Sequence, residues 1–140
     1  MQIGILEPEK FSTDAILILK KIGNGIMYDG SNLKKFLSSL TVLFVRLSHN
    51  IDEDFLKNCP NLEWLCSPTT GHNHLDIEHM SKKKIKVLTL RGETRFLKAI
   101  KATPEHTFGL ILALLRRYGI AIRSIADGEW ERNKCRGEEL

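Results

Sequence analysis

Residues 66–76 read CSPTTGHNHLD and follow the apolar run NLEWL. Two threonines and a glycine after a strand can turn hydroxyls and backbone amides toward an anion such as a carboxylate. A glycine at position 71 lets a ligand approach the backbone closely. Pro68 has no N–H and takes one donor out of the same stretch. The histidines 72, 74 and 79 allow other uses. Their spacing is possible for zinc, although Cys66 lies on the far side of the loop and no ligand-rich helix face accompanies them. They can equally be polar side chains of a solvent-facing loop. Metal ligands, solvated loop and anion site all stay open on these residues alone. A second polar stretch, RLSHN at 46–50, also ends an apolar run.

The elements that must carry these stretches alternate along the first ninety or so residues. QIGIL (2–6), GIMY (25–28), TVLFV (41–45), LEWLC (62–66) and IKVLTL (85–90) read as strands from their continuous apolar and branched character. Between them lie amphipathic segments. Ser12 caps a helix stopped by Gly23, and Ser31 caps a helix through Leu33, Phe36 and Leu37. Asp52 to Asn58 is a short helix closed before Pro60, and 76–84 is another. Strands alternating with helices predict an α/β fold, a five-stranded parallel sheet with helices on both faces and right-handed crossovers. Ligands of such sheets bind at the carboxyl ends of the strands, where RLSHN and SPTTGHN would be neighbours across one crevice.

Beyond residue 91 the composition changes. GETRFLKAIKA (92–102) is a polar connector or helix, and 104–122 reads as one strong helix with Pro104 and Glu105 in its first turn. Phe108, Leu110, Ile111, Leu112, Leu114 and Leu115 go almost all the way round it, so burial on more than one side is expected.

Several function classes drop out. A phospho-accepting receiver needs an aspartate ending the third strand, and here Arg46 ends it. A flavodoxin phosphate loop follows the first strand, whereas TTGHN follows the fourth. The dinucleotide fingerprint G-x-G-x-x-G between strand and helix is absent, because GNGIMY at 23–28 precedes a strand. The 140 residues thus show no cofactor site of their own. The net charge of +4 comes largely from SKKKIK at 81–86 and Arg116–Arg117. No aromatics interleave with those lysines and no helix-turn-helix surrounds them, so nucleic acid is not an expected partner. No segment reaches the about 18 uninterrupted apolar residues of a membrane span. The N-terminus carries no basic leader and the three cysteines (59, 66 and 135) have no metal-like spacing, so a reducing cytoplasmic location is expected, with two packing thiols and one at the surface.

The order VRLSHNIDEDFLKNCPNLEWLCSPTTGHNHLDIEHMSKKKIKVLTLRGE, followed by ATPEHTFGLILALLRR at 102–117, resembles the D-isomer-specific 2-hydroxyacid dehydrogenases, the family that includes phosphoglycerate dehydrogenase. The resemblance covers essentially the whole chain. It implies that residues 1–95 are a substrate-binding, flavodoxin-like domain, and that 96–140 are a connector and the first helix of an incomplete, truncated Rossmann nucleotide-binding domain. Arg46, Leu47 and Ser48 match the family's first substrate loop. Thr69, Thr70 and Gly71 match the loop whose amides hold the substrate carboxylate, although Ser67-Pro68-Thr69 stands where arginine-alanine-glycine is commoner.

The implied ligand is a small 2-hydroxy or 2-keto acid, and NAD(H) or NADP(H) serves the complete family enzyme. The family's nucleotide loop and its catalytic arginine, glutamate and histidine would all follow Leu140. No catalytic residue, no metal ligand and no tight cofactor binding are therefore expected in these residues, and no turnover. The other expectation is a non-catalytic binding or regulatory module. In either case the apolar helix is expected to form a homodimer through Pro104–Ala126.

Overall fold

The structure is a computed structural model that describes residues 1–140, and the chain divides into two compact units, Met1–Glu93 and Thr94–Leu140. In the first unit β1 (Gln2–Ile5), β2 (Asn24–Met27), β3 (Val42–Phe44), β4 (Trp64–Ser67) and β5 (Lys86–Thr89) form one sheet in the order β2-β1-β3-β4-β5. Every pairing is parallel, with Ile3 opposite Val42, Phe44 opposite Cys66 and Cys66 opposite Leu88. The expected five-stranded parallel α/β architecture is thus the observed one, with β2 as long as its apolar run and the other four strands one or two residues shorter than theirs.

Strand alternation divides the core in two. On one face Leu43, Leu65 and Val87 meet Leu37, Leu56 and Met80, which come from α2 (Leu33–Ser38), α3 (Glu53–Leu56) and α4 (Ile77–Lys82). On the other, Ile3, Ile5, Val42 and Cys66 meet Leu19 and Ile16 of α1 (Thr13–Ile22), with Phe11 edge-on to Phe44. β2 is an exposed edge strand. At Gly4 of β1 a β-carbon would run into the side chains of Leu40 and Phe36, so the close packing of α2 on the sheet requires glycine there.

The helices begin largely where side-chain acceptors permit. Ser12 accepts from Ala15 N, Asp52 from Phe55 N and Asp76 from His79 N. At α2 the structure departs from expectation, since Asn32 and not Ser31 is the cap. Ser31 is taken up one residue earlier by the Asp29 carboxylate, which accepts from both its N and its Oγ.

The second unit contains α5 (Thr94–Leu97), α6 (Ala102–Leu115) and α7 (Tyr118–Ala126). The single helix expected over 104–122 is therefore two, with Arg117 between them in the left-handed region at φ 53°. No glycine or proline marks the break. Its cause is a contact distant in sequence: the carbonyl of Leu115 accepts from Glu138 N at 3.0 Å, and Gly137 passes so close to Leu115 and Arg116 that a β-carbon would not fit. The expected burial of α6 is also corrected. No residue of it is buried, and Leu114 is 80% and Phe108 60% exposed, because this unit supplies no layer to cover an all-round apolar helix.

Candidate functional site

The two polar loops singled out in the sequence leave the sheet side by side. Val45 N donates to Cys66 O at the carboxyl ends of β3 and β4. After the loops, Ile51 and Leu75 form an isolated parallel bridge, with Ile51 N donating to His74 O at 2.8 Å and Asp76 N to Ile51 O at 3.0 Å. Residues 46–50 and 68–74 are pinned to each other at both ends. Arg46, Leu47 and Ser48 thus share one edge of the sheet with Thr69, Thr70 and Gly71. On the far side of the second loop, the end of β5 joins through Leu90 N, which donates to Thr69 O at 3.0 Å.

Within the second loop, Thr69 is committed to internal bonding. Its Oγ1 donates to Gly71 O at 3.0 Å and lies 3.0 Å from Ser67 Oγ. The backbone amides of Thr70, Gly71, His72 and Asn73, by contrast, donate to no protein atom. Successive free N–H groups are the means by which a loop binds a carboxylate. Gly71 is exposed, its φ is outside the left-handed region, and a β-carbon there would meet nothing within 4 Å. Nothing in the fold calls for glycine at this position.

Two further contacts complete the first loop. Ser48 N donates to Glu7 Oε1 at 3.1 Å, and Arg46 Nη1 donates to the Glu9 carbonyl at 3.1 Å. Glu7 is buried, at the end of β1, and its carboxylate holds the backbone of the loop after β3. The Ser48 amide is consequently spoken for. Leu47 projects outward, 69% exposed. A mainly apolar cleft of about 550 Å³ adjoins this edge on the α1 face, with walls from Phe11, Phe44, Cys66 and Leu88 and with Glu7, Lys10 and Arg46 among its lining.

The histidines are dispersed. His74 is buried with Nε2 3.5 Å from Ser67 Oγ, His79 Nδ1 lies 4.0 Å from Glu53 Oε2, and His72 Nε2 lies 2.9 Å from Thr89 Oγ1. No three His, Cys, Asp or Glu side chains gather at metal-binding range. The lysine run also has local partners: Lys82 pairs with Glu78, Lys83 Nζ donates to Leu56 O, and Lys86 lies over the Trp64 ring at 4.6 Å. All three cysteines are free, Cys59 and Cys66 are buried, and burial pushes each of those two thiols up to about 11.

Three residues at this edge were not candidates on sequence grounds. Glu7 was visible only as an acid after the first strand. Thr89 and Arg91 could have been found from their place at the end of the fifth strand, which in a parallel sheet faces the same edge. The role of His72 depends on them. The turn from β1 to α1 does not suit a dinucleotide. Its pyrophosphate needs a glycine turn and an open helix N-terminus after a strand. The turn from β1 to α1 carries Glu7 and Glu9, and Asp14 lies in the first turn of α1.

The first unit is thus a doubly wound parallel sheet with a run of free amides at its carboxyl edge. Residues 9–93 match the family model described as D-isomer specific 2-hydroxyacid dehydrogenase, catalytic domain. The chain belongs to that family. Among its relatives, a hydroxypyruvate reductase of Thermotoga maritima is 29% identical over 108 residues, covering 77% of this chain and 34% of that protein. A D-3-phosphoglycerate dehydrogenase of Methanocaldococcus jannaschii is 28% identical over 99% of this chain and 26% of that protein. The chain therefore spans between a quarter and about a third of the length of these curated relatives. In fold it is similar to a D-lactate dehydrogenase of Aquifex aeolicus solved with NAD and lactic acid, with a TM-score of 0.79 at 17% identity over 99% of this chain and 41% of that one. No helix is long and apolar enough to cross a membrane.

Proposed function

We propose that Met1–Glu93 is the substrate-binding part of an NAD(H)- or NADP(H)-dependent D-2-hydroxyacid dehydrogenase, and that it binds a small 2-hydroxy or 2-keto acid by its carboxylate. The observation that carries this reading is the run of free amides from Thr70 to Asn73 beside the Arg46–Ser48 loop. In the bound state those N–H groups donate to the carboxylate oxygens, and the Arg46 guanidinium supplies positive charge from the neighbouring loop. The cofactor, held elsewhere in a complete family enzyme, would supply the hydride. These residues only bind and orient the acid. On this reading the 140 residues alone do not turn over, and residues 96–140 are a connector and the first helix of a nucleotide-binding domain. The three free cysteines suit a reducing, cytoplasmic setting.

The test is an amide-resolved NMR titration of the 140-residue chain with D-lactate. Shifts concentrated at Thr70, Gly71, His72 and Asn73 are expected. Shifts confined to other surfaces, or none at millimolar acid, would refute the reading.

A second reading has its own observation. The exposed apolar side chains Phe108, Leu112 and Leu114 of α6 favour a module that forms a homodimer through Pro104–Ala126, with binding or regulation in place of catalysis. Light scattering at micromolar concentration separates a dimer from a monomer, and steady-state assay with NADH and hydroxypyruvate tests for turnover.

A further inference from the structure

Three groups at the end of β5 form a clasp on the amide loop. Arg91 Nη1 lies 3.4 Å from His72 Nδ1, His72 Nε2 lies 2.9 Å from Thr89 Oγ1, and Arg91 N donates to the same Thr89 oxygen at 3.3 Å. The proton positions follow from donor chemistry. A guanidinium can only donate, so Nδ1 must accept and Nε2 must carry the hydrogen that goes to Thr89. The clasp sets the Arg91 guanidinium, a permanent positive charge, beside the loop. Arg91 is exposed, and none of the chain's ion pairs involves an arginine. One of its N–H groups is tethered by His72 while the rest of the fork is free.

We propose that Arg91 is a specificity-determining residue that reads a second anionic group on the acid, so that the preferred ligand is a 2-hydroxy acid with a further carboxylate or phosphate. This rests on the reading that the Thr70–Asn73 amides hold the first carboxylate. The geometry divides the work. The amide loop, with Arg46 beside it, holds one end of the ligand, and the arginine after β5 meets the other end. His72 fixes where the guanidinium stands, and a short carbon chain spans a loop and its immediate neighbour. Guanidinium is well matched to carboxylate and phosphate because it offers parallel donors in one plane.

The experiment measures dissociation constants of D-lactate, D-malate and D-3-phosphoglycerate for the 140-residue chain by the same amide titration at fixed ionic strength. Dianionic acids are expected to bind at least about tenfold tighter than lactate. Malate against phosphoglycerate tells whether the second group is carboxylate or phosphate. Arg91→Ala should bring the dianion-to-lactate ratio down toward unity, Arg91→Lys should keep part of it, and Lys21→Ala, an equal loss of charge on α1, should leave it unchanged. A ratio unaltered by Arg91→Ala, lost equally with Lys21→Ala, or absent in the unsubstituted chain overturns the inference while leaving carboxylate binding standing. If none of the three acids shifts the Thr70–Asn73 amides, the carboxylate reading fails and this inference with it.

Discussion

Replacing Gly71 by alanine should move stability and binding in opposite directions. The fold places no demand on this glycine: φ is not left-handed, the position is exposed, and a β-carbon there meets no atom within 4 Å. Alanine loses less backbone entropy on folding, so Gly71→Ala should stabilise the first unit by about 0.4–1 kcal/mol. For a domain of this size the midpoint should rise by roughly 2–8 °C. The added methyl group nevertheless stands among the free amides. If it displaces a carboxylate from even one of them, it removes a charge-assisted hydrogen bond of about 1.5–3 kcal/mol, and D-lactate affinity falls about ten- to a hundredfold.

Gly4→Ala is the internal contrast, because its β-carbon runs into buried Leu40 and Phe36. It should destabilise by about 1–3 kcal/mol. Urea unfolding and the lactate titration on the same samples read both quantities. A Gly71→Ala protein less stable than its parent by 0.5 kcal/mol or so would contradict the account of the loop backbone. One that is more stable and binds lactate unchanged would show that the ligand does not use this face.

The raised thiols of Cys59 and Cys66 make stability depend on pH at the alkaline end. Folded values near 11 against an ordinary 9.0 mean the contribution is complete below about pH 9 and is lost as pH rises toward 11. Urea midpoints under reductant should therefore fall across that window, less steeply in Cys66→Val, and an equal slope in that variant would remove the thiol from the explanation. At pH 8, iodoacetamide should label Cys135 before either buried cysteine, as read by peptide mass spectrometry. Leu114→Lys places a charge on the most exposed apolar residue of α6 and should shift light scattering from dimer to monomer, while an unchanged mass would exclude this helix as the contact. Asn32→Ala should cost about 0.5–2 kcal/mol by loss of the α2 cap, and Ser31→Ala about 0.5 or less. The reverse order in urea unfolding would show that the cap lies at Ser31 after all.

The central strands β1, β3 and β4 were legible because a strand buried on both faces must be largely apolar, and QIGIL and TVLFV have that composition whatever surrounds them. The cap at Ser12 was legible for a similarly local reason, since acceptor and amide lie three residues apart. Ser31 misled because Asp29, two residues away, competes for it. The amide loop could be suspected from its threonines and glycine, but sequence could not say which of its donors were already used. The Thr69 hydroxyl turned out to be spent on Gly71, while the amides of Thr70 to Asn73 were left free.

By itself, then, the chain determined the element types, the parallel sheet and the sheet edge at which the two polar loops lie, because periodicity, capping and strand–helix alternation are properties of neighbouring residues. Tertiary structure alone decided the rest. The break between α6 and α7 depends on Glu138 reaching Leu115, the first loop is held by Glu7 from 41 positions away, and His72 is placed by Thr89 and Arg91 from 17 and 19 away. Such contacts join residues through space, and a one-dimensional pattern carries no record of them until the chain has folded.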